Sequence, residues 1–128
     1  MVASGLLTVR DIHQTWAWVV VVGNGLAGCW ALAANWWQPL RVRALWWFVG
    51  VAQLTVFVQA VLGAVMVGKY KVPLPEFHAF YGFVAIIAVA IIYSYRIQMR
   101  HRLYLLYGGG SLFVMGLGIR AMLIATTR

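Results

Sequence analysis

Four apolar runs divide this chain, and each is about as long as a bilayer core is thick. They are Trp16 to Ala34 ("WAWVVVVGNGLAGCWALAA"), Ala44 to Val67, Phe77 to Tyr95 and Leu103 to Ala125. Crossing a hydrocarbon core of about 30 Å takes roughly 20 residues of helix. Lipid offers an open backbone no hydrogen bonds, so apolar segments of this length must be helical despite their many valines. The expected fold is an all-α integral membrane protein: one domain over residues 1–128, a four-transmembrane-helix antiparallel bundle. The "ALA" at 31 to 33 mimics a signal-peptide cleavage site, but the run is counted as the first helix.

Charge supports this reading and orients it. Only 12 of the 128 residues are charged, 10 Lys or Arg against 2 acids, too few to cover a soluble domain. The net charge of +8 would suggest nucleic acid in a soluble protein. Here the charges fall between apolar runs, where they meet headgroups and set orientation, and nucleic acid is set aside as a partner. Arg41 and Arg43 follow the first run, and Arg96, Arg100 and Arg102 follow the third. The positive-inside rule then puts both loops in the cytoplasm and both termini, with the loop "GKYKVPLPE", on the outer side of a bacterial cell membrane. Arg120 near the outer end of the fourth run can snorkel to the headgroups. Trp and Tyr cluster at the run ends, as an aromatic belt does.

Cys29, the single cysteine, excludes an internal disulfide and a thiolate metal cluster. It reads as a small core residue. Small residues at four-residue spacing, Gly23 and Ala27 on the first helix and Ala60, Ala64 and Gly68 on the second, predict close helix contacts. The "GGG" at 108 to 110 predicts either a kink or a flat contact for another protein. Asn24, Gln53 and Gln59 read as hydrogen bonds between helices. Gln53 and Gln59 stand six positions apart, about 240° round the helix, so they do not form one polar stripe.

No acid lies within a span, which disfavours a proton-coupled transporter. The histidines are the informative group. His13 precedes the first run by three residues, His78 opens the third, and His101 lies among loop arginines. The assigned topology brings His13 and His78 to the same surface at similar depth. Two imidazoles so placed are the minimal axial set for a haem iron, with Asp11 and Glu76, each two residues before a histidine, as nearby acceptors. Gly82, one turn below His78, would leave room for a flat macrocycle, and Lys69 and Lys71 could neutralise its propionates.

The stretch "QAVLGAVMV" at 59 to 67, then a proline-bearing loop and "FH" at 77 to 78, resembles the haem A synthase family. Gln59, Leu62, Gly63, Val67 and His78 match its "QxxLGxxxV" helix and following histidine. That family is built from two similar four-helix halves, each with a histidine pair at the outer surface, and this chain is similar to one half. The resemblance implies a b-type haem with His13 and His78 as axial ligands. Synthesis of haem A needs two haem sites, and one copy of this chain offers one histidine pair, so that enzyme activity is not expected.

Three functional readings stand at this point. The first is a non-catalytic accessory subunit of a larger, respiratory membrane complex, packed in lipid against other subunits or against itself. The second is a b-type haem-binding protein using His13 and His78. The third is a small homo-oligomeric transporter lined by the amides.

Overall fold

The computed structural model describes residues 2–73 and 75–126, and these are helical almost throughout. Four long helices run α1 (Val2–Trp36), α2 (Arg43–Gly68), α3 (Glu76–Ser94) and α4 (Leu103–Thr126), with short 3-10 turns at Gln38–Leu40 and Arg100–Arg102. All four are long and apolar enough to cross a membrane. The tail at 127 and 128, assigned above to the outer surface, lies outside the described residues.

Both faces of these helices are apolar. Val20, Val21, Ala27 and Ala31 of α1 are buried, while Trp18, Val22 and Leu26 of the same helix point outward and are more than half exposed. A helix apolar all round belongs in a hydrophobic surrounding. In lipid the association of helices rests on close fit and buried hydrogen bonds, and both are visible here. Gly23 faces Ala52 across α1 and α2. The fully buried Asn24 donates from Nδ2 to the carbonyls of Val20 and Ala52, at 2.9 and 3.1 Å. Trp16 donates from Nε1 to the Thr55 carbonyl at 2.9 Å.

Helices α1 and α4 approach most closely at two glycines. A Cβ on Gly108 would stand 2.9 Å from the Leu32 backbone nitrogen, and one on Gly28 would stand 2.9 Å from the Gly108 carbonyl oxygen. The triple glycine is therefore an internal contact, not a kink: α4 is an unbroken helix through it. Gly110 receives Ile92 of α3, whereas nothing lies within 4 Å of a Cβ on Gly109.

Two other sequence expectations are corrected. The first helix starts at Val2, not at Trp16, because Arg10, Asp11, His13 and Gln14 interrupt the apolar run without interrupting the helix. At 35 residues it is about 52 Å long, well beyond the thickness of a hydrocarbon core. Cys29 is exposed on the helix surface, because the neighbouring Gly28 faces Leu112 and Gly108 of α4. Helix packing is also uneven: α1 packs along α2 and α4, and α4 along α3, but α2 and α3 scarcely touch. The antiparallel bundle is open along that side.

Candidate histidine site

Helix α3 is 19 residues long, about 28 Å, so it needs nearly its full length to span a bilayer core. His78 lies in its first turn, at one end of the helix. Pro75 precedes the helix in an extended conformation, φ −62° and ψ 129°, and its ring fixes where the helix begins. The first turn also carries Glu76, placed favourably at the positive end of the helix dipole.

His13 reaches the same level from the interior of α1. The ring centroids of His13 and His78 are 6.1 Å apart, with an angle of 72° between planes. All four helices complete the surroundings. From α2, Gln59 donates from Nε2 to the His13 carbonyl at 2.8 Å. One turn further, a Cβ on Gly63 would stand 3.4 Å from His13 Cε1, so the absence of a side chain there makes room for the imidazole. Gln59 and Gly63 are four residues apart and share a helix face. From α4, the Ala121 carbonyl lies 3.0 Å from His78 Nδ1. A carbonyl can only accept, so Nδ1 carries the proton and Nε2 holds the lone pair. That backbone contact fixes the tautomer as second-shell acceptors do at metal-binding histidines.

Two polar atoms in this cluster are buried without a hydrogen-bond partner, His13 Nδ1 and Gln59 Oε1. A buried polar atom left unpaired costs about 1–3 kcal/mol, so the pair marks a place where a further group would be stabilised. The 6.1 Å separation of the ring centroids is within the reach of two imidazoles that share one metal ion at about 2 Å per metal–nitrogen bond. Gly82, one turn along α3, has nothing within 4 Å of where its Cβ would be, which leaves that flank of the helix bare.

The other residues singled out in the sequence fall elsewhere. Lys69 lies over the Tyr70 ring, 5.4 Å from its centroid. The Tyr70 hydroxyl in turn sits 2.6 Å from where a Cβ on Gly5 would be, two turns before His13 or roughly 12 Å along α1. Lys71 is exposed and left-handed, with φ 56°. Asp11 and Glu76 are exposed, and the acceptor for His78 is the Ala121 carbonyl in place of a carboxylate. Among the described residues, no group of three or more His, Cys, Asp or Glu could hold a metal ion, so any metal here rests on the two imidazoles. The contribution of Ala121 was invisible in the sequence, because it comes from a backbone carbonyl. Arg120 lies at the same end, 5.9 Å from the centroid of the Tyr81 ring.

Fold and site together define an all-helical protein with four helices able to cross a membrane and a histidine pair at one end. Comparisons of the chain with protein-family models, with curated proteins and with solved structures return no match.

Proposed function

We propose that this chain is a multi-pass bacterial cell-membrane protein that binds a b-type haem between His13 and His78 and serves one-electron transfer. The observation that carries this reading is the 6.1 Å separation of the two rings. His78 is already oriented by a carbonyl acceptor, and His13 Nδ1 is buried without a partner. His13 and His78 would hold the iron through their ring nitrogens, and the haem would supply reversible one-electron chemistry. Gln59 and Gly63 hold the α1 backbone and leave space for the His13 ring. The similarity of Gln59, Leu62, Gly63, Val67 and His78 to one half of haem A synthase supports the same assignment. The arginine-rich end faces the cytoplasm and the histidine end faces outward, in keeping with the distribution of positive charge.

The test is a reduced-minus-oxidised spectrum of protein purified in mild detergent from haem-replete cells. The sharp bands of a low-spin haem are expected, with loss in both His13→Ala and His78→Ala. A colourless preparation of normal helicity would overturn the proposal.

A second reading, an accessory subunit of a larger respiratory complex, is supported by α2. Ala64 and Gly68 are exposed, and a Cβ on Gly68 would meet nothing within 4 Å. Such a face accepts another helix closely. Co-purification of stoichiometric partner chains, abolished by Ala64→Leu or Gly68→Leu, would support this reading. Purification of a single species would count against it.

A further inference from the structure

The open side of the bundle, between α2 and α3, holds a second feature far from the histidines. Two adjoining cavities of about 280 and 460 Å³ share Gly50, Gln53 and Tyr93. The larger is of the size that takes small organic ligands, roughly 300–1,000 Å³. The inner part is apolar, lined by Leu54, Phe57 and Val89. The outer part reaches Arg96, beside Trp46 and Tyr107, at the arginine-bearing end.

Gln53 is the informative residue. It is 8% exposed, lines both cavities, and its Nε2 has no hydrogen-bond partner. Amide Nε2 can only donate, so the missing group is an acceptor. Gln53 stands ten residues into α2, roughly 15 Å along the helix, where the bilayer offers no water. At the mouth, Arg96 packs over the Tyr93 ring at 3.8 Å and gives one N–H to the Tyr93 carbonyl. A guanidinium has five N–H donors, so this leaves capacity for an anion. Both acids of the chain, Asp11 and Glu76, lie at the opposite end, while Arg41, Arg43, Arg100 and Arg102 share the end with Arg96.

An anion at the mouth, a neutral acceptor deeper in, and an apolar tail beyond it describe one chemical class. We propose that the cleft between α2 and α3 binds an anionic phospholipid. Its phosphate pairs with Arg96, an ester carbonyl accepts from Gln53 Nε2, and an acyl chain runs along Leu54, Phe57 and Val89. Basic pockets between membrane helices hold anionic headgroups by the same physics. The absent side chain of Gly50, which has nothing within 4 Å of a would-be Cβ, keeps the wall open.

The test is native mass spectrometry of the whole chain released from nanodiscs of equal phosphatidylglycerol and phosphatidylcholine. One phosphatidylglycerol retained per chain is expected. Arg96→Gln should lower its retention about tenfold, as loss of one charge-assisted contact does. Arg100→Gln, at the same end but outside the cleft, should leave retention unchanged. Gln53→Leu should weaken retention of both lipids. Gln53→Met, which keeps the length of the side chain without an N–H donor, should weaken retention in the same way, and it serves if Gln53→Leu fails to fold. Equal retention of the two lipids, equal losses in Arg96→Gln and Arg100→Gln, or a co-purified quinone in place of phospholipid would each overturn the proposal.

Discussion

The three consecutive glycines of α4 separate the contributions of packing and helix propensity within one turn. Substituting each by alanine adds the same methyl group to three different surroundings. At Gly108 the new Cβ stands 2.7 Å from Leu32 Cγ and 2.9 Å from the Leu32 backbone nitrogen. Backbone cannot rotate away, so α1 and α4 must move apart. Overpacking of this kind costs about 1–3 kcal/mol, and separation also loosens the reciprocal contact at Gly28. At Gly110 the Cβ stands 2.5 Å from Ile92 Cδ1 and 2.7 Å from its Cγ1; Ile92 is buried and stiff at χ1, but these are side-chain atoms and can give more than backbone can. At Gly109 nothing lies within 4 Å, so Gly109→Ala should be neutral or gain up to about 1 kcal/mol of helix propensity. The assay is unfolding of the detergent-solubilised protein, followed by helicity against denaturant. The expected order of stability is Gly109→Ala, then Gly110→Ala, then Gly108→Ala. Equal effects at all three positions, or a largest loss at Gly109, would refute the close approach of α1 and α4.

Other perturbations test single contacts. Trp16→Phe removes the Nε1 bond to Thr55 and should lower stability by about 0.6–1.7 kcal/mol, the range for interhelical hydrogen bonds in lipid, in the same unfolding assay. Arg41 donates from Nε and Nη2 to the carbonyls of Ala34 and Asn35, both at 2.7 Å. Arg41→Ala should therefore fray the end of α1, seen as faster hydrogen exchange over residues 33–37 with α3 unchanged. Single cysteines placed at Gln38 and at Lys71, in a Cys29→Ser background, should react with a membrane-impermeant maleimide from opposite sides of a sealed vesicle. Labelling of both from one side would overturn the four-span topology.

Much of the architecture was legible because a bilayer leaves few alternatives. The lengths of the four runs were enough to predict four helices, and α2, α3 and α4 begin within a residue of the apolar boundaries. The start of α1 was not legible. Arg10, Asp11 and His13 look like an end to a span, but a charged residue beyond the hydrocarbon ends only the apolar run. Of the site, the shared end of the bundle for His13 and His78 followed from counting crossings, whereas Gln59 and Gly63 were tied to it only through the resemblance to a known family. The Ala121 carbonyl did not follow, since its role belongs to the backbone. Nor did the cleft, because Gln53 has the same sequence appearance whether or not its amide finds a partner. Only the sparse contact between α2 and α3 distinguishes the two cases.

The central claim is that His13 and His78 hold one haem between them. The most direct measurement is haem extracted per chain, compared among the unaltered protein, His13→Ala, His78→Ala and the double variant. About one haem per chain is predicted for the unaltered protein, with each single variant losing as much as the double, because under the proposal both histidines would bind one iron. Haem content unchanged by either substitution, or absent from a well-folded unaltered protein, would contradict the account.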